Sequence, residues 1–274
     1  MERKEFGGLG AAFWARKPLV GMVHLPPLPG SPRDDGRGME AILRQAVADA
    51  QALEAGGADA MMVENFFDAP FCKESLPPHT LAALTRAVAA VREVTTLPIG
   101  VNALRNDARA ALAIAHVCGA QFVRINVYVG AAVTDQGIIE GAARAAILYR
   151  RELNANVAIW ADIFVKHAAQ LGMSSLEDAA KDAVLRGLAD ALIVTGTATG
   201  AATDPETARR VKETLPSTPL LIGSGFNVQT AAALLAYADG AIVGTSLKRD
   251  GLVSEAVDAA RVRALRQAMK ARQA

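Results

Sequence analysis

His24, Glu64, Asn102, Arg124, Asn126 and Asp162 each stand at or near the end of a short apolar run of the sequence. An imidazole and two carboxylates brought together suit proton transfer beside a carbonyl or an acetal, one group accepting a proton while another gives one. Glu64, Asp162 and a histidine also suit a divalent ion, although no H-E-x-x-H or similar short ligand motif is present. Asn65, Asn102, Asn126 and Thr195 supply amides and a hydroxyl that can orient a ligand. Lys166 and His167 follow Asp162 closely and add a cation and a second imidazole. Arg124 and Asn126 are two residues apart, which puts both on one face of an extended segment. An arginine buried there needs a partner. Three are open to it: Glu64, Asp162 or an anionic substrate.

A second group lies near the C-terminus. Two apolar runs about twenty residues apart end in Gly223-Ser224-Gly225 and in Gly244-Thr245-Ser246. Glycine lets backbone N–H groups approach an anion closely, and the hydroxyls of Ser224, Thr245 and Ser246 are further donors. The stretch "TSLKRD" would open a short helix toward the anion, with Lys248 adding charge. The plainer alternative is that these glycines only permit tight turns.

Elements that would position these residues can be read along the chain. Eight β-rich runs, 18–25, 58–65, 98–104, 122–129, 157–164, 189–196, 219–225 and 240–247, alternate with helical patterns rich in Ala, Leu, Arg and Glu. Thr203 or Asp204 caps a helix with Pro205 in its first turn, and Gly56-Gly57 ends another. Several runs are almost wholly apolar, as expected for a parallel sheet covered by helices. Eight successive βα units with right-handed crossovers predict a single (β/α)8 TIM barrel over 18–274, preceded by an N-terminal segment, 1–17, whose Phe13 and Trp14 would close the barrel bottom. In that fold, active sites lie at the carboxyl ends of the strands and phosphate binds after the seventh and eighth. The two glycine endings fall at those places. The loop "FFDAPFCKESLPPHT" places Phe66, Phe67 and Phe71 either as a roof over the site or in a subunit contact, so a homo-oligomer stays open.

Composition limits the partners. Hydrophobic residues make up 51% of the 274, and the formal net charge is +1. That argues against nucleic acid, which needs a concentrated basic face. The basic stretch from Arg261 to Arg272 reads as a solvated helix face. Two cysteines without C-x-x-C spacing imply no disulfide framework, and no run is apolar enough to span a bilayer, so the expectation is a soluble, cytoplasmic protein.

Six ordered stretches, "GMVHLPPLPGSP", "VENFFDAPF", "GVNALRNDARAALAIA", "TDQGIIEGAA", "ADIFVKHA" and "GSGFN", together resemble the BtpA family, which also takes in SgcQ-like proteins. The likeness runs from about residue 18 to residue 250, with Phe67 where the family pattern has a small residue. It implies a ribulose-phosphate-binding type of barrel. The family name comes from photosystem I biogenesis, whereas other members look like parts of carbohydrate operons. Two expectations of different class follow. One is an enzyme using acid–base chemistry on a phosphorylated sugar or nucleoside-like molecule, as isomerase, lyase or glycosidic hydrolase. The other is a non-catalytic biogenesis or stability factor for a membrane complex. Buried acids and amides at many strand ends favour the enzyme, because such groups cost stability unless paired.

Overall fold

The computed structural model describes residues 5–73, 75–164, 168–172, 175–196 and 203–270. Eight parallel strands form a closed barrel: β1 (Leu19–His24), β2 (Ala60–Glu64), β3 (Ile99–Asn102), β4 (Phe122–Ile125), β7 (Ala158–Ile163), β9 (Ala191–Val194), β10 (Leu220–Ile222) and β11 (Gly240–Val243). They are hydrogen-bonded in the order β1-β11-β10-β9-β7-β4-β3-β2. Every residue of these strands is buried, because helices cover the outside and side chains fill the inside. The expected (β/α)8 barrel is the fold.

Helices α1 (Ala11–Ala15), α2 (Gly38–Gly56), α3 (Pro78–Val94), α4 (Ala108–Val117), α5 (Ala143–Glu152), α6 (Leu176–Lys181), α7 (Pro205–Thr214), α8 (Ala231–Leu234) and α9 (Ala259–Lys270) surround the barrel. Their ends follow local chemistry. Gly57 leaves α2 with φ of 88°, a left-handed conformation that glycine adopts cheaply. Asp204 caps α7, accepting from the Glu206 N–H, with Pro205 in the first turn. Asp107 caps α4 through the Ala110 N–H.

Period-two alternation sorts the strand residues. Leu19, Val23, Met61, Val63, Ile99, Val101, Val123 and Ile125 pack outward in the large core under the helices. Val20, Met22, Met62, Phe122, Trp160, Ile193, Leu221 and Ile242 form a second, inner core. Phe122 and Trp160 stack there at 3.7 Å, and Trp14 of α1 lies 5.6 Å from Trp160, so the N-terminal segment seals the barrel floor. Two residues beyond this inner layer, on the same face of each strand, come His24, Glu64, Arg124, Asp162, Thr195, Gly223 and Gly244. The alternation that fills the barrel floor also sets the polar residues at its mouth.

The fourth strand is shorter than the sequence predicts. It stops at Ile125 because the Asn106 side chain brackets Val127, accepting its N–H at 2.8 Å and donating to its carbonyl at 2.9 Å. The chain then leaves the barrel as an antiparallel hairpin, β5 (Ala131–Thr134) and β6 (Gly137–Glu140). A further short strand, β8 (Ala168–Leu171), pairs with β5 to complete a three-stranded sheet beside the mouth. These three strands have no counterpart in the sequence reading. Among the described residues, no helix is long and apolar enough to cross a membrane.

Candidate functional site

A cavity of about 330 Å³ opens at the carboxyl ends of the strands. His24 and Glu64 form one wall with Phe66 and Arg124, and the ends of β10 and β11 form the other. The volume lies at the lower end of the range for small-molecule sites.

On the first wall, parallel pairing sets His24 beside Glu64 and Glu64 beside Asn102. The His24 Nε2 lies 3.7 Å from the Glu64 Oε2, and the Asn102 amide donates to Glu64 Oε1 at 2.6 Å. The first distance is that of an ion pair and too long for a good hydrogen bond. Both His24 and Glu64 line the cavity. Phe66 stacks on the His24 ring at 4.3 Å and 24°, and Phe67 meets Phe66 edge-on at 5.1 Å. Phe66 thus walls the site. Phe71 lies elsewhere, lining a separate space of about 60 Å³ with Asn65 and Asp68.

Arg124 pairs with Asp162, one of the three partners open to it. The contact is bidentate, Nε to Oδ2 at 2.8 Å and Nη2 to Oδ1 at 2.9 Å, and Asn126 adds a bond to Oδ2 at 2.8 Å. The Asp162 side chain is wholly buried and does not line the cavity, whereas Arg124 does. Burial acts to lower the Arg124 pKa, but the Asp162 charge and hydrogen bonds, with the Glu64 charge, outweigh it and hold the guanidinium above its ordinary value. Asp162 thus sits behind Arg124 and not on the cavity wall. Asn65 is also turned away: its amide donates to Asp68 and to the Leu104 carbonyl, and its oxygen accepts from the Leu104 N–H. Asp68 in turn accepts from the Leu28 N–H, which fixes the proline-rich loop after β1. Thr195 does not line this cavity, and its hydroxyl lies 3.5 Å from the Phe164 carbonyl. Lys166 and His167 lie outside the described residues.

On the second wall, Gly223, Ser224, Gly225, Gly244, Thr245 and Ser246 all line the cavity. Gly225 has φ of 66°, so a side chain there would be strained. A β-carbon on Gly244 would stand 2.7 Å from His24 Cε1, so this glycine makes room for the imidazole. The N–H groups of Gly225 and Thr245 have no acceptor among the described residues. Thr245 begins a single 3-10 turn, Thr245–Leu247. The hydroxyls differ from expectation. Ser246 donates its own to the Phe226 carbonyl at 2.8 Å. Ser224 Oγ accepts from the Gly196 N–H at 2.6 Å, and its O–H has no acceptor among the described residues. Lys248 is not at the anion end: it is buried and bonded to Asp49 at 2.6 Å, because the 3-10 turn carries it under α2.

Two arginines escaped the sequence reading. Arg261, in the first turn of α9, lines the cavity beside Ser246, so the basic C-terminal stretch is not only a solvated face. Arg105, three residues past β3, is buried at the mouth. Burial lowers its pKa, opposed by the charges of Asp162, Asp135 and Glu64. Its signal was available, an arginine just past a strand end in "NALRND". Among the described residues no group of three or more His, Cys, Asp and Glu is placed to hold a metal ion.

Comparison with known proteins agrees with the fold. The solved thiamine phosphate pyrophosphorylase of Pyrococcus furiosus superposes with a TM-score of 0.58 at 15% identity, covering 94% of this chain and 98% of that one. At that identity the likeness is one of fold. The photosystem I biogenesis protein BtpA of Synechocystis sp. is 46% identical over 257 residues, 94% of this chain and 89% of its own length. The putative sgc region protein SgcQ of Escherichia coli is 34% identical over 248 residues, 90% of this chain and 91% of its own. The sequence pattern of the BtpA family matches residues 15–271, and this chain belongs to that family.

Proposed function

We propose that this protein is an enzyme that binds a phosphorylated sugar or nucleoside-like small molecule and moves protons on it. One observation carries the reading. One cavity is lined on one wall by backbone donors without acceptors among the described residues and on the other by an imidazole and a carboxylate. The Gly225 and Thr245 N–H groups would hold the phosphate, with the Ser224 O–H beside them. Glu64, oriented by Asn102, would accept a proton from one atom of the substrate, and His24 in its protonated form, held flat by Phe66, would give another proton to a second atom. Arg124, fixed by Asp162 and Asn126, would meet oxyanion character developing on the substrate. Isomerisation, lyase chemistry and glycosidic hydrolysis all use such a set.

Paired titrations test it. Sugar phosphates should raise the melting temperature, their dephosphorylated forms should not, and Gly225→Val should abolish the difference while the protein stays folded. Equal response to both forms, or none to either, would remove the phosphate from the reading. A second reading, a non-catalytic factor for a membrane complex, has one observation in its favour, the name of the Synechocystis relative. A flat response across phosphosugars and nucleotides would favour it.

A further inference from the structure

Arg124 and Arg261 are the two cationic residues that line the cavity among those described. Arg124 is neutralised by Asp162. Arg261 is held differently. Its Nε donates to the Ser246 carbonyl at 3.0 Å, and no carboxylate of the described residues pairs with it. A β-carbon on Gly251 would lie 3.5 Å from Arg261 Nη2, so the guanidinium runs past a residue with no side chain to crowd it. The bond to Ser246 ties the arginine to the same turn whose Thr245 lines the cavity. On its outer side Arg261 also lines a groove of about 240 Å³ together with Val228 and Leu265. The guanidinium therefore stands between the cavity and the outer surface of α9.

From this placement we infer that Arg261 is the side-chain charge partner of the phosphate and the residue that selects a phosphorylated ligand. The inference rests on the phosphate reading above and adds to it the group that supplies charge. An arginine fixed through Nε keeps both Nη groups for two phosphate oxygens, the forked geometry that guanidinium offers and ammonium does not. Backbone N–H groups carry only partial charge. A full positive charge beside them favours the doubly ionised phosphate over neutral hydroxyl analogues. It also offsets the negative charge of Glu64 across the cavity, which would otherwise repel the same ligand.

Inorganic phosphate is the probe, titrated by calorimetry into wild type, Arg261→Gln, Arg261→Lys and Gly225→Val. Arg261 is exposed and makes one hydrogen bond to the described residues, so Arg261→Gln should melt with the wild type. Its affinity for phosphate should fall on the order of tenfold, as for losing a hydrogen bond to a charged group. Arg261→Lys should recover part of that loss, and the glutamine variant should show a weaker dependence on ionic strength. If wild type binds phosphate, Gly225→Val does not, and Arg261→Gln binds as wild type does, the phosphate reading stands and the role of Arg261 is overturned. If wild type binds no phosphate, or all variants bind equally, the phosphate reading itself falls and takes this inference with it.

Discussion

Arg124→Met is the most direct test of how the barrel mouth is held together. The pair it breaks is bidentate at 2.8 and 2.9 Å, with side-chain exposures of 4% for Arg124 and 0% for Asp162. Methionine fills much of the space but leaves the Asp162 carboxylate inside the barrel with the Asn126 amide at 2.8 Å as its remaining donor among the described residues. Breaking a buried pair from one side costs about 3–5 kcal/mol. The surviving amide argues for the lower part of that range, about 3 kcal/mol. For a chain of this size each kcal/mol moves the melting temperature by about 2–4 °C, so the fall should be about 6–12 °C.

Urea denaturation of four proteins separates the stranded charge from lost packing: wild type, Arg124→Met, Asp162→Leu and the double variant. Each single variant should be less stable than the double, because the double strands no charge. Two results would refute the reasoning. Losses below about 1 kcal/mol in each single variant would place the pair with exposed ion pairs. Losses that simply add in the double variant would mean the two side chains do not act as a unit.

Glu64→Gln should keep the Asn102 contact and the melting temperature, yet slow turnover at least about a hundredfold on a substrate found by the phosphosugar screen. Retained kcat would move the proton acceptor elsewhere. Tyr128 supplies a pH test. Burial pushes its phenol above the ordinary value near 10, with the Asp190 charge adding and Arg150 opposing, and its O–H donates to the Gly187 carbonyl. The folded state thus keeps a proton that the unfolded chain loses above about pH 10, so stability falls as the pH rises through that region. Tyr128→Phe lacks this titration. It should lose about 1 kcal/mol at pH 8, and the gap to wild type should narrow by pH 11, measured as urea midpoints. Parallel pH profiles would show that Tyr128 does not carry the slope.

What the sequence made legible depended on range. The barrel was readable because each strand is a short apolar run closed by turn residues, and period-two alternation then fixed which polar residues face inward. The glycine endings were readable for the same reason, since a turn and its donors lie within three residues. The β5, β6 and β8 strands were not. "AAQL" has no β-branched or aromatic residue, and "AAVT" and "GIIE" are only four residues each, so their stability comes from pairing with one another. Lys248 was misplaced because its partner, Asp49, is 199 residues away in sequence. Arg261 looked like one of several solvated charges on an amphipathic helix, and only the docking of α9 beside the end of β11 distinguishes it. Asp162 was legible as an acid at a strand end facing the barrel mouth, but its place behind Arg124, off the cavity wall, is a three-dimensional fact.

That pairing bears on how a ligand would be oriented. The layer beneath the mouth is apolar, with Met22, Met62, Phe122, Trp160 and Ile242 packed together, so charges above it are poorly screened from below. Arg124 and Asp162 cancel each other at short range. The charges left along the cavity wall are then the Glu64 carboxylate on β2 and the Arg261 guanidinium on α9. An anionic ligand meets repulsion at the first and attraction at the second, where the Gly225 and Thr245 N–H groups also lie. On the phosphate reading, the same imbalance would draw the phosphate toward β10 and β11 and turn the uncharged remainder of the molecule toward His24 and Glu64. Proximity of a reacting carbon to these two groups would therefore follow from where the charges remain uncancelled, without any residue having to grip that carbon directly.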